Sequence, residues 1–222
     1  MNTAQPLLSV LMPVYNERAT IAEILRRVRA VPLDLEVVVV DDGSTDGTRE
    51  ILTGLAGADP ALKLVFHEKN AGKGAAMRPA IAHASGSISL VQDADLEYDP
   101  QDYPALIQPI LEGRTNVVFG SRPLCKQNHY PFDLFRMGSL VLTLAANALY
   151  FCRLTDEPTC YKVFRTDLLK SLPLRCRGFE FCPEVTATVR KRGERILEVP
   201  IRYNKRSVSE GKKIRAKDAL IG

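Results

Sequence analysis

The sequence has little that would place it in several large classes of protein. Its net charge is only +4 over 222 residues, which is too small to predict a nucleic-acid partner. None of its five cysteines forms a CxxC pair, and an odd number without metal-ligand spacing indicates free thiols in a reducing compartment. The N-terminal residues carry neither a basic region nor a small-residue cleavage site. We therefore expect no secretory signal and a cytoplasmic location.

An apolar run long enough to span a membrane is also missing. The longest uncharged stretch, 137–152, lies between Arg136 and Arg153 and is interrupted by polar residues. A spanning helix needs roughly 20 apolar residues, and this stretch is shorter. We expect a buried helix here. The alternative is a helix that touches a membrane surface or a lipid tail.

Two common phosphate-binding motifs are absent as well. The glycine-rich stretch 70–74 does not complete a Walker A motif, because Gly74 stands where Ser or Thr is needed and His67 where the first glycine belongs. The sequence contains no GxGxxG, which argues against a dinucleotide-binding dehydrogenase. A glycine-rich start to a helix still favours an anion, and Lys73 has the alternative of pairing with an acidic pocket.

What the sequence does have is a regular alternation of strand and helix patterns. Short apolar runs at 7–13, 36–40, 62–66, 88–92, 116–119 and 196–203 alternate with helical spacing at 21–28, 48–55, 75–84 and 103–111. Continuous apolar strands between helices predict an α/β fold, a mostly parallel sheet flanked by helices with a late edge strand. We expect one domain over 1–222, with a nucleotide-binding half over about 1–122 and an acceptor-binding half over about 123–222.

Carboxylates gather where the predicted strands end, which is the edge at which ligands bind in such sheets. Asp93 and Asp95 follow the fourth strand, and residues two apart in an extended segment project to the same side. Glu97 continues the spacing. Oxygen ligands suit Mg²⁺ or Mn²⁺, which also binds the phosphates of a leaving group. The alternative is a solvated acidic loop.

Five segments, in this order, resemble glycosyltransferase family 2. They are PVYNE at 13–17, VDDGSTDG at 40–47, EKNAGKGAA at 68–76, QDADLE at 92–97 and GSR at 120–122. The chain looks most like the dolichyl- and polyprenyl-phosphate mannosyl- or glucosyltransferases of that family, and the resemblance extends from about residue 8 to 213. It implies the GT-A fold, a nucleotide-sugar donor and an inverting mechanism.

The resemblance also implies roles for single residues. It implies that Pro13, Tyr15, Glu17, Val40 and Asp42 line the nucleotide pocket. Lys73, Asp93 and Ala94 are further candidates for binding the substrate. The metal ion is held by Asp93, Asp95 and Glu97, with Asp95 also counted as catalytic and Glu97 standing where the mannosyltransferases have glutamine. Arg206 and Lys212 match a basic pair near the donor diphosphate, and Arg122 and Arg136 match the pair that meets an acceptor phosphate.

The segment 154–165 resembles the family motif that places an acidic residue beside the acceptor, and Asp156 is the candidate catalytic residue there. With a hydroxyl acceptor it acts as general base, and with a phosphate acceptor it only orients; capping of the next segment is the alternative. Glu180 and Glu184 are weaker candidates for contact with a sugar. The preferred acceptor is a polyprenyl phosphate, which implies contact with a membrane surface. A soluble hydroxyl acceptor and a non-catalytic binding protein remain open.

Overall fold

The computed structural model describes residues 6–128 and 133–205. The described strands form one seven-stranded sheet in the order β3-β2-β1-β4-β6-β5-β7. The strands are β1 Leu8–Val14, β2 Leu35–Asp41, β3 Leu62–Phe66, β4 Ile88–Val91, β5 Val117–Ser121, β6 Lys162–Arg165 and β7 Ile196–Pro200. The helices are α1 Ile21–Arg29, α2 Thr48–Ala56, α3 Lys73–His83, α4 Tyr103–Leu111, α5 Leu134–Tyr150, α6 Thr166–Ser171 and α7 Phe181–Lys191.

The first four strands run parallel and are buried where the sequence is most continuously apolar. The four valines of β2, 37–40, are each 0% exposed, as expected for a strand covered on both faces. Strand β1 has β2 on one side and β4 on the other. The connection after β1 leads to β2 on one side, and the connection after β4 leads to β5 on the other side. This reversal creates a crevice at the carboxyl ends of the two strands.

The second half of the sheet contains a strand that the sequence pattern did not predict. Strand β6 lies antiparallel between β4 and β5. Its first residue, Lys162, is 0% exposed; the ammonium donates to the Glu157 carbonyl and lies 3.8 Å from the ring centroid of Phe119. The predicted late edge strand is confirmed as β7, which ends at Pro200 and, among residues 6–128 and 133–205, pairs only with β5.

Helix α5 contradicts the expectation of a buried helix. Its outward face is apolar, with large exposed fractions for Met137, Leu140, Val141, Leu144 and Leu149, of 45%, 46%, 62%, 57% and 68%. The helix lies at the surface, and the alternative interpretation, contact with a membrane surface or a lipid tail, stays a prediction. No helix among the described residues is both long and apolar enough to cross a bilayer.

The polar residues of α5 face inward instead. The Thr143 hydroxyl donates to the Ser139 carbonyl at 2.8 Å and accepts from the Glu157 amide at 3.0 Å. The Asn147 side chain donates to the Leu154 carbonyl and accepts from its amide, both at 2.8 Å. These hydrogen bonds attach the helix to the loop that follows it, so the polar interruptions in this stretch are its attachment points.

Candidate active site

The two loops that follow β1 and β2 are joined by hydrogen bonds. Strand pairing places Pro13 opposite Val40. Beyond the strands, the Asn16 amide donates to the Ser44 hydroxyl at 2.9 Å, and the Thr45 amide donates to the Asn16 side chain at 2.8 Å. Asn16 adopts a left-handed conformation with φ of 51°, which asparagine tolerates better than most residues.

The proposed pocket residues of these loops differ in how far they are exposed. Tyr15 is 36% exposed and Val40 is 0% exposed. Glu17 is half-buried; its amide donates to the Thr48 hydroxyl at 2.9 Å, and its carboxylate accepts from Thr20 at 2.7 Å. The fold therefore brings the residues expected to line a nucleotide pocket to one edge of the sheet, where Tyr15 is partly exposed.

Asp42 holds the glycine-rich segment in place. Its carboxylate accepts from the Ala71 amide at 3.0 Å and the Gly72 amide at 2.8 Å, and lies 2.7 Å from His67 Nδ1. The carboxylate is therefore largely occupied within the chain, a role that the sequence analysis did not anticipate. Recognition of a base by Asp42 would use its remaining acceptor capacity.

The glycines of this segment are required by close backbone contact. Gly72 has φ of 98°, and a Cβ there would lie 2.3 Å from the Arg177 carbonyl oxygen. The Gly74 amide donates to the Gly178 carbonyl at 3.1 Å. The carboxylate of Glu180 in turn accepts from the amides of Arg177 and Gly178, each at 2.8 Å.

Glu184 braces the same loop, since it accepts from the amides of Arg175 and Cys176 at 2.8 and 3.0 Å. In the described contacts Glu180 and Glu184 thus support the loop that packs on the glycine-rich segment. In these hydrogen bonds both carboxylates accept from backbone amides and not from side chains of the candidate site. Their suggested contact with a sugar stays a prediction.

Lys73 pairs with the first carboxylate of the DxD segment. Its ammonium lies 2.6 Å from Asp93 Oδ1. Burial alone would lower the pKa of Lys73, but the neighbouring Asp93 carboxylate outweighs it and raises the pKa well above its usual value. Lys73 therefore stays charged, and pairing with the acidic pocket is the alternative that the geometry supports.

A buried thiol, absent from the sequence analysis, adjoins this pair. Cys160 is 5% exposed, and burial, with Asp93 close by, raises the pKa of its thiol well above the ordinary value. The thiol therefore stays neutral and is a poor nucleophile.

The remaining acidic residues of the segment face different ways. The Asp95 carboxylate accepts from the Glu97 amide at 3.1 Å, and Ala94 between the two aspartates is 3% exposed. The Glu97 carboxylate is buried and accepts from the Tyr203 hydroxyl at 3.0 Å. Leu96, with φ of 62°, forms the turn between Asp95 and Glu97.

The carboxylates of this segment suit a hard divalent ion whose remaining ligands come from a substrate. Among residues 6–128 and 133–205, no group of three or more carboxylate, histidine or cysteine side chains is placed to hold a metal ion. Mg²⁺ commonly takes one or two carboxylates and completes its shell with phosphates and water. Asp93 already faces a cation in Lys73, and Asp95 is half-buried beside it. These two residues fit such an ion better than Glu97 does.

Arg122 and Asp156 form a buried ion pair. The guanidinium donates to the two carboxylate oxygens at 2.7 and 2.6 Å, and the Arg122 amide donates at 3.0 Å. Their side chains are 10% and 2% exposed. The sequence analysis gave these residues separate contacts with the acceptor, whereas the described geometry makes them one unit, with the Tyr203 ring 5.1 Å from the guanidinium carbon.

A carboxylate from β7 fixes the loop that carries Asp156. Glu198 accepts from the Thr155 amide at 2.9 Å and the Asp156 amide at 3.0 Å. Burial raises the pKa of Glu198. Glu198 could not be predicted as a site residue, because it lies in an ordinary strand pattern, 42 residues from Asp156.

The other predicted basic residues are less well defined. Arg136 lies in the first turn of α5, and its amide donates to the capping Asp133 carboxylate at 2.9 Å. Arg206 and Lys212 lie outside the described residues, so their placement near a diphosphate stays a prediction.

The chain is similar to known glycosyltransferases over most of its length. The family model described as glycosyl transferase family 2 matches residues 9–172. A dolichol-phosphate mannosyltransferase of Pyrococcus furiosus is 29% identical over 209 residues, which cover 92% of this chain and 58% of that relative. An undecaprenyl-phosphate mannosyltransferase of Micrococcus luteus is 28% identical over 210 residues, covering 91% of this chain and 85% of the relative. The chain thus spans little more than half of the first relative.

Solved structures give the fold. Glucosyl-3-phosphoglycerate synthase of Mycobacterium tuberculosis, in complex with Mn²⁺, UDP and glucosyl-3-phosphoglycerate, matches with a TM-score of 0.70 and 25% identity over 92% of this chain and 74% of that one. A mannosyltransferase of Pyrobaculum calidifontis, in complex with GDP-Man and Mn²⁺, matches with a TM-score of 0.63 and 25% identity over 89% of this chain and 56% of that one. The fold is GT-A, and because the family model spans most of its length, the chain belongs to glycosyltransferase family 2.

Proposed function

We propose that this enzyme transfers a sugar from a UDP- or GDP-sugar to a polyprenyl phosphate in one inverting displacement. The observation that carries the acceptor class is the state of Asp156, which is 2% exposed and accepts three hydrogen bonds from Arg122. A carboxylate so occupied is poorly suited to take a proton from a hydroxyl acceptor. An ionised phosphate oxygen needs no general base.

On the donor side, the nucleotide lies against loops 13–17 and 40–47, in the half that ends near residue 122. Asp93 and Asp95 would hold Mg²⁺ or Mn²⁺, and the ion would offset the charge that develops on the departing diphosphate. Lys73 keeps a positive charge at the same place. Arg206 and Lys212 are proposed to add further positive charge near the diphosphate.

On the acceptor side, Arg122 and Arg136 are proposed to position the phosphate, and Asp156 orients Arg122. The phosphate oxygen attacks the anomeric carbon from the face opposite the diphosphate, so the bond to the diphosphate breaks as the new one forms. Glu198 keeps Asp156 in place through the loop amides. The names of the two curated relatives, both acting on lipid phosphates, support this acceptor class.

Transfer assays with matched acceptors test the proposal. With Mn²⁺ and each nucleotide sugar in turn, we expect product from a short-chain polyprenyl phosphate in detergent and none from the corresponding polyprenol, because only the phosphate brings an ionised oxygen. Radiolabelled sugar in the organic phase is the measurement. Transfer to the polyprenol or to phosphoglyceric acid, without transfer to the lipid phosphate, would replace this acceptor with a soluble or hydroxyl one.

The apolar face of α5, defined as Met137, Leu140, Val141, Leu144 and Leu149, is proposed to lie on the membrane that contains the acceptor. Helix α5 lies in the chain between Arg122 and Asp156, and these two residues pair with each other. The two residues that flank the helix in the chain therefore meet on the proposed acceptor side. We propose a peripheral position on the membrane, at its cytoplasmic face.

The double variant Leu140→Ser/Leu144→Ser is expected to weaken vesicle binding at least about tenfold. Full burial of a leucine contributes about 1.5–3 kcal/mol, and both side chains are about half exposed in water. Flotation with neutral phosphatidylcholine vesicles measures the loss. The control is Leu55→Ser/Leu111→Ser, which removes two exposed leucines of α2 and α4, 36% and 51% exposed. Equal loss in both variants would contradict a role for this face.

A further inference from the structure

A second cavity lies away from the Asp93–Asp95 carboxylates, at the β7 edge of the sheet. It has a volume of about 400 Å³. The end of α5, the end of α7 and the start of β7 form its walls. Its lining residues are Phe151, Cys152, Arg153, Arg190, Arg195, Ile196, Leu197 and Glu198. Three of these carry a positive charge and one carries a negative charge.

The single carboxylate of this cavity is engaged elsewhere. Glu198 accepts from the amides of Thr155 and Asp156 and from the Thr155 hydroxyl, at 2.9 to 3.0 Å. None of the arginines of the cavity forms an ion pair among the described residues. The cavity therefore keeps a net positive charge.

The three arginines have different surroundings. Arg190 is fixed by backbone carbonyls: it donates to Glu194 at 2.7 Å and, more weakly, to Tyr150 and Phe151 at 3.4 Å. Arg153 and Arg195 are exposed. One guanidinium is thus held rigidly at the end of α5, and two more can close on an anion.

The cavity lies at the C-terminal end of α5 and is lined there by an exposed aromatic residue. Phe151, which lines the cavity, is 90% exposed, and Leu149, two residues earlier, is 68% exposed. Phe151 adopts a left-handed conformation with φ of 49°, which ends the helix. An apolar surface bordered by a concave cationic site matches the two parts of a phospholipid, whose acyl chains and phosphate are adjacent.

We infer that this cavity binds the phosphate head group of an anionic phospholipid while the apolar face of α5 rests on the acyl chains. The inference extends the membrane contact proposed above and assigns it a chemical preference. It concerns bulk lipid and needs no polyprenyl phosphate. Basic side chains at an anionic surface each contribute enough binding energy that losing two lowers affinity about 30-fold.

Vesicle binding without donor or acceptor tests the inference. The wild-type chain is expected to bind vesicles containing phosphatidylglycerol more tightly than pure phosphatidylcholine. Arg153→Gln/Arg195→Gln is expected to lose about 30-fold on the anionic vesicles and to bind the neutral ones as wild type does. The control, Arg26→Gln/Arg27→Gln, removes the same charge from α1, where both arginines pair with Glu23. It should leave both affinities almost unchanged.

Two results would overturn the inference. Equal losses in the two double variants would mean that only total charge matters. Saturable binding of inorganic phosphate that the Arg153/Arg195 variant loses, without any preference for anionic vesicles, would identify a site for free anions. Because these assays contain no sugar donor, a failed transfer assay leaves the vesicle result intact, and the reverse also holds.

Discussion

Asp95→Asn is expected to lower the rate of sugar transfer at least about 100-fold, because a metal ion at a leaving group contributes several kcal/mol to transition-state stabilisation. The substitution is expected to have little effect on the stability of the fold. Asparagine keeps an oxygen that can accept from the Glu97 amide, as Asp95 does at 3.1 Å. What it removes is the negative charge that a divalent ion requires. The melting temperature should therefore stay close to that of the wild type.

Asp93 is a less suitable position for this experiment. Its loss would leave the Lys73 ammonium, 2.6 Å away, without its carboxylate, and destabilisation would be mixed with loss of metal. The matched control is Asp167→Asn, which removes a carboxylate that is 75% exposed on α6. The measurement is the initial rate as Mn²⁺ is titrated from an EDTA-treated sample. Full activity in EDTA, or an unchanged rate in Asp95→Asn, would refute the metal assignment.

Arg122→Met is expected to destabilise the fold by about 3–5 kcal/mol, since it leaves the Asp156 carboxylate buried without a countercharge. The pair is 10% and 2% exposed, so water offers little compensation. Asp156→Asn in the Arg122→Met background removes the stranded charge. Most of the lost stability should then return, and urea unfolding of the four proteins of this cycle measures the coupling.

Activity separates the structural and functional roles of this pair. If Arg122 also positions the acceptor phosphate, the double variant should regain stability and remain nearly inactive, with the loss appearing in the KM for the lipid phosphate. Additive effects on stability would show that the two side chains are uncoupled. Recovery of activity together with stability would confine Arg122 to a structural role.

The parallel part of the fold could be predicted from the sequence because its pattern is local. Strand β3 and helix α4 have the predicted bounds, 62–66 and 103–111, since each is a short apolar run with clear ends. Strand β6 could not be predicted because its first residue, Lys162, is charged, and a charged residue is typical of a surface position. Its charge is tolerated only through the Phe119 ring and the Glu157 carbonyl, which come from other parts of the chain.

The sheet edge at which the candidate residues lie could be predicted, but their contacts with one another could not. The order of the motifs placed Asp42, Asp93 and Asp95 at one sheet edge. No local signal indicated that Arg122 would pair with Asp156, 34 residues away, or that Asp42 would bind the amides of Ala71 and Gly72. Such long-range pairs depend on how the loops pack after the sheet has formed.

Helix α5 has polar side chains on its inward face and apolar side chains on its outward face. This arrangement changes the expected effect of substitutions on stability. In most surface helices an outward polar residue is neutral and an inward apolar residue is stabilising. Here an inward Thr143→Val would remove the acceptor of the buried Glu157 amide, at 3.0 Å, and an unsatisfied buried donor costs about 1–3 kcal/mol. An outward Val141→Thr would reduce only apolar surface that faces solvent, 62% exposed. A prediction from hydrophobicity alone would therefore favour Thr143→Val over Val141→Thr. The contacts indicate the opposite order for the stability of the fold.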